Sequence, residues 1–326
     1  MHRRDVLRAL GACLMAVGTP HALAQSTPYP AKPLRLLVGF PPGAQTDAIA
    51  RLVAAKLGDH LGQSVVVENR SGASGTIAAD AAARSPADGY TLLIGGNSNM
   101  VLGPLMFDNL RYDPVRDFVA IGRIARVPLV AAVNANVPAK TLPELLELIR
   151  ARPDTLTYGS GAVGTQVAVE YLLDSAGVRA VNVPYKGTAP AVIDVVAGRI
   201  DFIFADYAVL APHANAGTLR LLATTGTAHG HDTGTLPTVA ELGIRGFAYY
   251  SWSAIMAPAG TPPDVVASLR RALIAIVKMP DVKEALMRMG FEVSEESPDA
   301  FGASIGTDIE RFRPIVRQAG LAGTGN

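Results

Sequence analysis

The stretch "TYGSGAVGTQV", residues 157–167, carries the pattern G-x-G-x-x-G at Gly159, Gly161 and Gly164. A strand-like segment, Thr155 to Tyr158, leads into it, and a helix-like one, Val167 to Ala176, leads out. Strand, glycine turn and helix in that order belong to an α/β fold. They leave three readings of the turn: a dinucleotide site, a backbone pocket for a smaller anion, or a turn with no ligand. A dinucleotide fingerprint needs an acidic residue about 20 positions beyond its glycines to hold the ribose hydroxyls. Counting on from Gly164 reaches Tyr185 and Lys186, so the acid is missing. The two other readings remain. A helix starting near Thr165 would aim its unpaired N–H groups and positive dipole end into the turn, and such a cradle needs no arginine.

The same alternation runs outward in both directions. Upstream, Lys32 to Gly39 reads as a buried strand, and Phe40-Pro41-Pro42-Gly43-Ala44-Gln45 cannot continue it. From Thr46 the spacing of Ile49, Leu52, Val53 and Leu57 is helical. Strands at Val65 to Glu68 and Tyr90 to Gly95 flank an alanine-rich helix over Thr76 to Ser85. The pattern restarts at Thr141-Leu142-Pro143-Glu144, a capping box. Beyond the glycine turn come strands at Val181 to Tyr185, Ile200 to Phe204 and Leu219 to Thr224, and a helix entered through Lys186-Gly187-Thr188-Ala189-Pro190. A second capping box, Thr238 to Glu241, precedes "YYSWSAIMAPAGTPPDVV", residues 249–266, which reads as strand, Pro-Gly turn and helix. Helices at 281–289 and 298–318 close the chain.

Short strands alternating with helices imply parallel sheets with right-handed crossovers. Two such units predict an α/β protein of two lobes with a cleft between them, able to hinge at two crossings near residues 120–130 and 245–253. The expected division is residues 1–25 as an export signal, 26–125 with 246–326 as one lobe, and 126–245 as the other.

Bulk properties agree. The chain has 326 residues, 49% apolar and 17% charged, enough for two packed cores. Its first 25 residues have the layout of a bacterial export signal: Arg3, Arg4 and Arg8, an apolar run from Ala9 to Gly18, then Ala22-Leu23-Ala24. The run is about half the roughly 20 residues a membrane span needs. Both the general secretory and the twin-arginine routes suit it. The single cysteine, Cys13, lies inside this segment, so cleavage after Ala24 leaves no thiol for disulfides, metal sites or catalysis. The remainder is close to neutral, with nothing to attract nucleic acid at long range.

Three further loops match the glycine turn in kind. Phe40 to Asp47 repeats strand, Pro-Gly loop and helix start; Asn97-Ser98-Asn99 comes after the third strand; Lys186-Gly187-Thr188 precedes a helix. Ligands of open α/β sheets sit beyond the carboxyl ends of strands, so together the loops imply a polar cleft. Enzymatic patterns are weak. His229-Gly230-His231 suits a solvated loop better than a metal site, Asp47 suits helix capping, and Tyr249, Tyr250 and Trp252 suit core or hinge packing. No H-E-x-x-H, G-x-S-x-G or Walker sequence occurs. The reading is of a non-enzyme, without cofactor or metal, and monomeric.

The ordered blocks "YPAKPLRLLVGFPPGAQTDAIARLVAAKLGDHLGQSVVVENRSGASGTIAAD", "SPADGYTLLIG", "VPYKGTAPAVIDVVAGRIDF", "LPTVAELGI" and "APAGTPPDVV" resemble the substrate-binding receptors of tripartite tricarboxylate transporters, the Bug or TctC-type proteins. The resemblance runs from Tyr29 to beyond residue 290. It implies a two-lobed periplasmic binding protein, type II-like, that closes like a Venus flytrap on a small organic or amino-acid carboxylate and delivers it to membrane permease subunits. A receptor that presents its closed form to a sensor kinase would have the same cleft. In such proteins the carboxylate is held, partly through water, by loops that match Phe40, Pro42, Gly43, Ala44, Gln45, Thr46 and Asp47; Asn97, Ser98 and Asn99; and Ser160, Gly161, Gly164, Thr165 and Gln166. Residues matching Lys186, Gly187, Thr188 and Asp206 approach from the second lobe. This chain departs from the family pattern at Ala44, at Gln166-Val167 and at Tyr207, positions that bear on which ligand fits.

Overall fold

A computed structural model describes residues 29–229 and 233–325. The export segment, residues 1–25, and His231 lie outside the described residues. The strands form two sheets. The first has the order β11-β4-β10-β3-β1-β2, with β1 at Leu34–Val38, β2 at Val65–Asn69, β3 at Thr91–Gly96, β4 at Phe118–Pro128, β10 at Tyr250–Pro258 and β11 at Glu292–Val293. The second has the order β7-β6-β8-β5-β9, with β5 at Val130–Asn134, β6 at Thr157–Ser160, β7 at Val181–Pro184, β8 at Phe202–Ala205 and β9 at Leu219–Thr224.

Neither sheet is wholly parallel, a correction to the expectation from alternation. The βαβ parts are parallel, β1 with β2 and β3 and β6 with β7 and β8. β10 runs antiparallel to both β3 and β4, and β5 antiparallel to both β8 and β9. The antiparallel strands are those next to the passages between sheets. The chain leaves the first sheet at Pro128 and enters the second at Val130, and it returns between Thr224 and Tyr250. The sequence places a crossing near 120–130 without bounding a strand there; the structure puts it between β4 and β5, and β4 carries Arg123 and Arg126. Both guanidiniums are in fact drawn inward. Arg123 lies 4.7 Å from the Phe301 ring with Glu296 at 2.8 Å, and Arg126 lies 4.2 Å from the Tyr250 ring.

Side chains of β1 alternate between two cores as a strand's period of two requires: Leu34, Leu36 and Val38 enter one, Leu37 the other. Helix α1 (Gln45–Leu61) covers the first with Ile49, Ala50, Val53, Ala54 and Leu57, a stripe at helical spacing. It stops where Gly62 takes φ 69° and gives its N–H to Gly58 O. Helix α2 (Thr76–Ala83) backs the other face, and a short helical segment, Ser98–Leu102 running into α3 (Gly103–Met106), comes after β3. The second sheet carries α4 (Leu142–Ala151), α5 (Val163–Ala176), α6 (Thr188–Val196) and α7 (Tyr207–Asn215). Thr141 caps α4 as expected, its Oγ1 accepting from Glu144 N at 3.3 Å, while the Glu144 carboxylate reaches one residue further back, to Lys140 N at 2.6 Å. The Thr238–Glu241 pair also bonds reciprocally, but the residues after it form a turn and no helix.

After β10, α8 (Pro263–Val277), α9 (Pro280–Arg288) and α10 (Pro298–Gln318) return to the first lobe. Phe312 of α10 also reaches the second, edge-on to Tyr171 of α5 at 5.5 Å and to Tyr249 at 5.6 Å. Thr225 ties the two passages together. Its hydroxyl accepts from Leu129 N at 2.8 Å and donates to Tyr249 O at 2.7 Å, while its own N–H and C=O bond Leu129 O and Tyr249 N.

Candidate functional site

Between the lobes, beyond the carboxyl ends of the strands, lies a cavity of about 390 Å³. The β1–α1 loop and the start of α1 bring Phe40, Gln45 and Thr46 to it; the turn after β3 brings Asn97 and Ser98. From the other lobe come Gly164 and Thr165 at the start of α5, Thr188 at the start of α6, and Asp206 after β8. No arginine, lysine or histidine lines it among the described residues.

Two of these helix starts can be traced atom by atom. In α1 the first N–H to bond within the helix is that of Ala48, to Ala44 O at 3.0 Å. Those of Gln45, Thr46 and Asp47 precede it. The Asp47 carboxylate is buried and turned back into the loop, where it accepts from Gly43 N at 2.9 Å, Arg51 Nε at 2.9 Å and Asn69 Nδ2 at 2.8 Å. The Arg51 hydrogen bond holds its pKa down at about 2, against the opposing effect of burial. Asn69 also donates to Phe40 O at 2.9 Å, which fastens both ends of the loop to β2. Gly43 supplies the left-handed bend, at φ 84°. Gly43, Pro42, Ala44 and Asp47 thus shape the loop without lining the cavity, and the Gly43 amide is already occupied.

In α5 the helix begins at Val163, two residues before the expected start, and the first internal bond is Gln166 N to Ala162 O at 3.1 Å. The N–H groups of Val163, Gly164 and Thr165 precede it. The Thr165 hydroxyl accepts from Ala162 N and donates to Ala162 O, so this side chain is engaged in capping. The glycines that opened the question are there for proximity. None of the three has a positive φ. A Cβ on Gly161 would stand 2.4 Å from Thr188 N, one on Gly159 would stand 2.6 Å from Ile200 Cδ1, and one on Gly164 3.2 Å from the Tyr249 hydroxyl. The starts of α5 and α6 are therefore pressed together at Gly161.

The remaining expected residues stand beside or behind these. Asn99 is buried and holds the turn after β3, accepting from Gly96 N at 2.8 Å. Ser160 donates to Asn182 Oδ1 at 2.7 Å. Gln166 is half-buried on α5, Lys186 is exposed, and Gly187 takes φ 110° before α6; none of them lines the cavity. His229 lies in an exposed loop, bonded to Leu236 O and to Glu241.

Two groups inside the cleft keep unused capacity. Asn97 Nδ2 donates to Tyr250 O at 2.9 Å, but the buried Oδ1 has no hydrogen-bond partner among the described residues. Asp206 precedes α7 with its carboxylate uncapped, and burial raises its pKa. No basic side chain meets it among the described residues.

Sequence reasoning missed the wall supplied by Tyr249, Ser251, Trp252 and Ser253 of the returning strand, by Val127 and Leu129 of the outgoing one, and by Ser74 and Phe291. The expectation that Trp252 packs in the core holds, since it meets Phe301 edge-on at 5.0 Å and is 5% exposed, yet it also borders the cavity. The available signal was position: a strand that crosses between lobes has to pass the cleft.

Comparison with known proteins agrees with this architecture. Residues 49–321 match the family model described as "Tripartite tricarboxylate transporter family receptor", and the chain belongs to this family of solute-binding receptors. Among relatives, Protein BugT of Bordetella pertussis is 33% identical over 98% of this chain and 99% of its own length. Among solved structures, Rpa4515 of R. palustris, determined with adipate, is 35% identical with a TM-score of 0.72, covering 90% of this chain and 99% of that one. A TctC solute-binding protein from Polaromonas, without ligand, is 28% identical with a TM-score of 0.81, covering 89% of this chain and 99% of that one.

Proposed function

We propose that this chain acts in the periplasm as the receptor of a tripartite transporter, taking a small carboxylate into the cleft and handing it to the membrane permease. One lobe is residues 26–125 with 246–326, the other 126–245, and residues 1–25 direct export. The observation that carries the reading is the convergence of three helix starts on one cavity that has no basic side chain among the described residues. Each N–H given to a carboxylate is worth about 1.5–3 kcal/mol, with roughly 0.3–1 kcal/mol more from each helix end. Gln45, Thr46, Gly164, Thr165 and Thr188 are the donors closest to hand; Phe40, Asn97, Ser98 and Asp206 complete the contact set. Pro42, Gly43, Ala44, Asp47, Asn99, Ser160, Gly161 and Gly187 shape the turns that carry these, while Gln166 and Lys186 stand outside the cavity. Adipate in the R. palustris relative supports a carboxylate ligand.

The test is a panel of organic and amino-acid carboxylates against purified mature protein. Trp252 is the only tryptophan and borders the cleft. A bound acid should change its emission, raise the melting temperature and contract the small-angle scattering profile. A panel that leaves all three unchanged rejects the reading. Capture of membrane partners by the loaded protein then separates permease delivery from presentation to a sensor kinase.

A further inference from the structure

The cleft continues past the helix starts. A second cavity of about 320 Å³ opens from it, and the two share Gln45, Val127, Asp206 and Phe291. Its walls are largely apolar and come from both lobes. Met287, Met289 and Phe291 lie on and after α9, and Tyr207 and Val209 lie opposite, at the start of α7. Met287 is 39% exposed and Val209 37%, large apolar side chains left open on both sides of the same groove.

Charge along this path is sparse. Asp206 stands where the two cavities join. Glu292 is engaged with Arg126 at 3.6 Å, and Lys283 lies at the groove on the exposed face of α9. An acid held at the helix starts would have its body beside Val127, Phe291, Tyr207 and Met287. A second carboxylate on that body would pass Asp206, of like charge, and would lose water against apolar walls, with Lys283, on the exposed face of α9, the one base that lines the groove among the described residues.

We infer that the preferred ligand is a monocarboxylate with an extended apolar body, alkyl or aryl, its acid at the starts of α1 and α5 and its body along the groove between α9 and α7. This rests on the carboxylate reading above and adds the class of acid.

Calorimetric titration with butyrate, hexanoate, octanoate and 3-phenylpropionate, beside succinate, malate and suberate, tests it. A fully buried methylene tightens binding about fourfold and octanoate has four more than butyrate, so complete burial gives roughly 250-fold tighter binding and burial of half of them still about fifteenfold. Suberate, equal in length but with a second acid, should bind at least about tenfold more weakly than octanoate, the equivalent of about 1.4 kcal/mol. In Met287→Asp and Val209→Asp, two partly exposed positions on opposite walls whose melting temperatures are checked alongside, the preference for octanoate over butyrate should fall about tenfold. Suberate, succinate or malate binding as tightly as octanoate would overturn the inference, as would an unchanged preference in both variants. Failure of every acid on the panel, butyrate included, would overturn the carboxylate reading itself.

Discussion

The starts of α1 and α5 face the same cleft with the same sequence device, strand, bend and helix, yet they are fixed by different physics. At α1 a buried carboxylate gathers Gly43, Arg51 and Asn69 and sets the loop by charge and hydrogen bonds. At α5 no ionised group takes part; the turn is set by the absence of side chains, with Gly161 against the backbone of Thr188. The turn into α1 responds to pH through Asp47, and the turn into α5 responds to side-chain volume at Gly161.

The contrast breaks first at Gly161. In Gly161→Val a Cβ would have to displace backbone 2.4 Å away, which no side-chain adjustment relieves. The cost should reach about 3 kcal/mol or more, seen as a lower melting temperature together with lost carboxylate binding. A variant with wild-type melting and affinity would refute the account of the turn. Next is Asp47→Asn, which leaves Arg51 without its carboxylate and with only Asn69 Oδ1 at 3.3 Å; since Arg51 is half-exposed, about 1–2 kcal/mol of stability is expected to go. The sign with pH comes from the lowered pKa. The Asp47 contribution is complete above the ordinary value of 3.8 and fades as pH falls through about 2. Acid titration of stability should therefore be shallower in the variant over that window, and equal slopes would show that Asp47 anchors nothing.

Asp206 sharpens the other side. Its pKa is raised by burial, and a bound anion raises it further, so an acid ligand should bind more tightly below that pKa than above it. Asp206→Asn should strengthen carboxylate binding severalfold at neutral pH, by up to about 1 kcal/mol, and flatten this dependence. Weaker binding of simple carboxylates by the variant would argue that Asp206 donates or pairs with a ligand cation. The smallest effect belongs to His229→Ala, which removes an exposed contact with Glu241 and should leave affinity unchanged within error.

The sequence was most legible where local chemistry settled the outcome. Pro41, Pro42 and Gly43 could end a strand in only a few ways, and the loop they form does turn into a helix beside the cleft. Gly161 and Gly164 were visible as a bend opening into a helix, but the packing that requires glycine there, against Thr188 and Tyr249, involves long-range partners that no spacing reveals. The Asp47 network was half visible: a helix-start acid was expected to cap, but its bonds to Asn69 depend on how β2 sits beside β1. The strands beside the first crossing were not bounded in the sequence, and the inward placement of Arg123 and Arg126 depends on Glu296, Glu292 and the aromatic rings of distant segments. Lys186, taken toward the cleft, ends exposed, leaving the site without any base among the described residues.

The hydroxyl of Thr225 has a mechanical consequence. Because one side chain bonds the outward strand at Leu129 and the homeward strand at Tyr249, the two connections cannot slide past each other without breaking it. Any displacement of one connection at this point therefore has to carry the other with it.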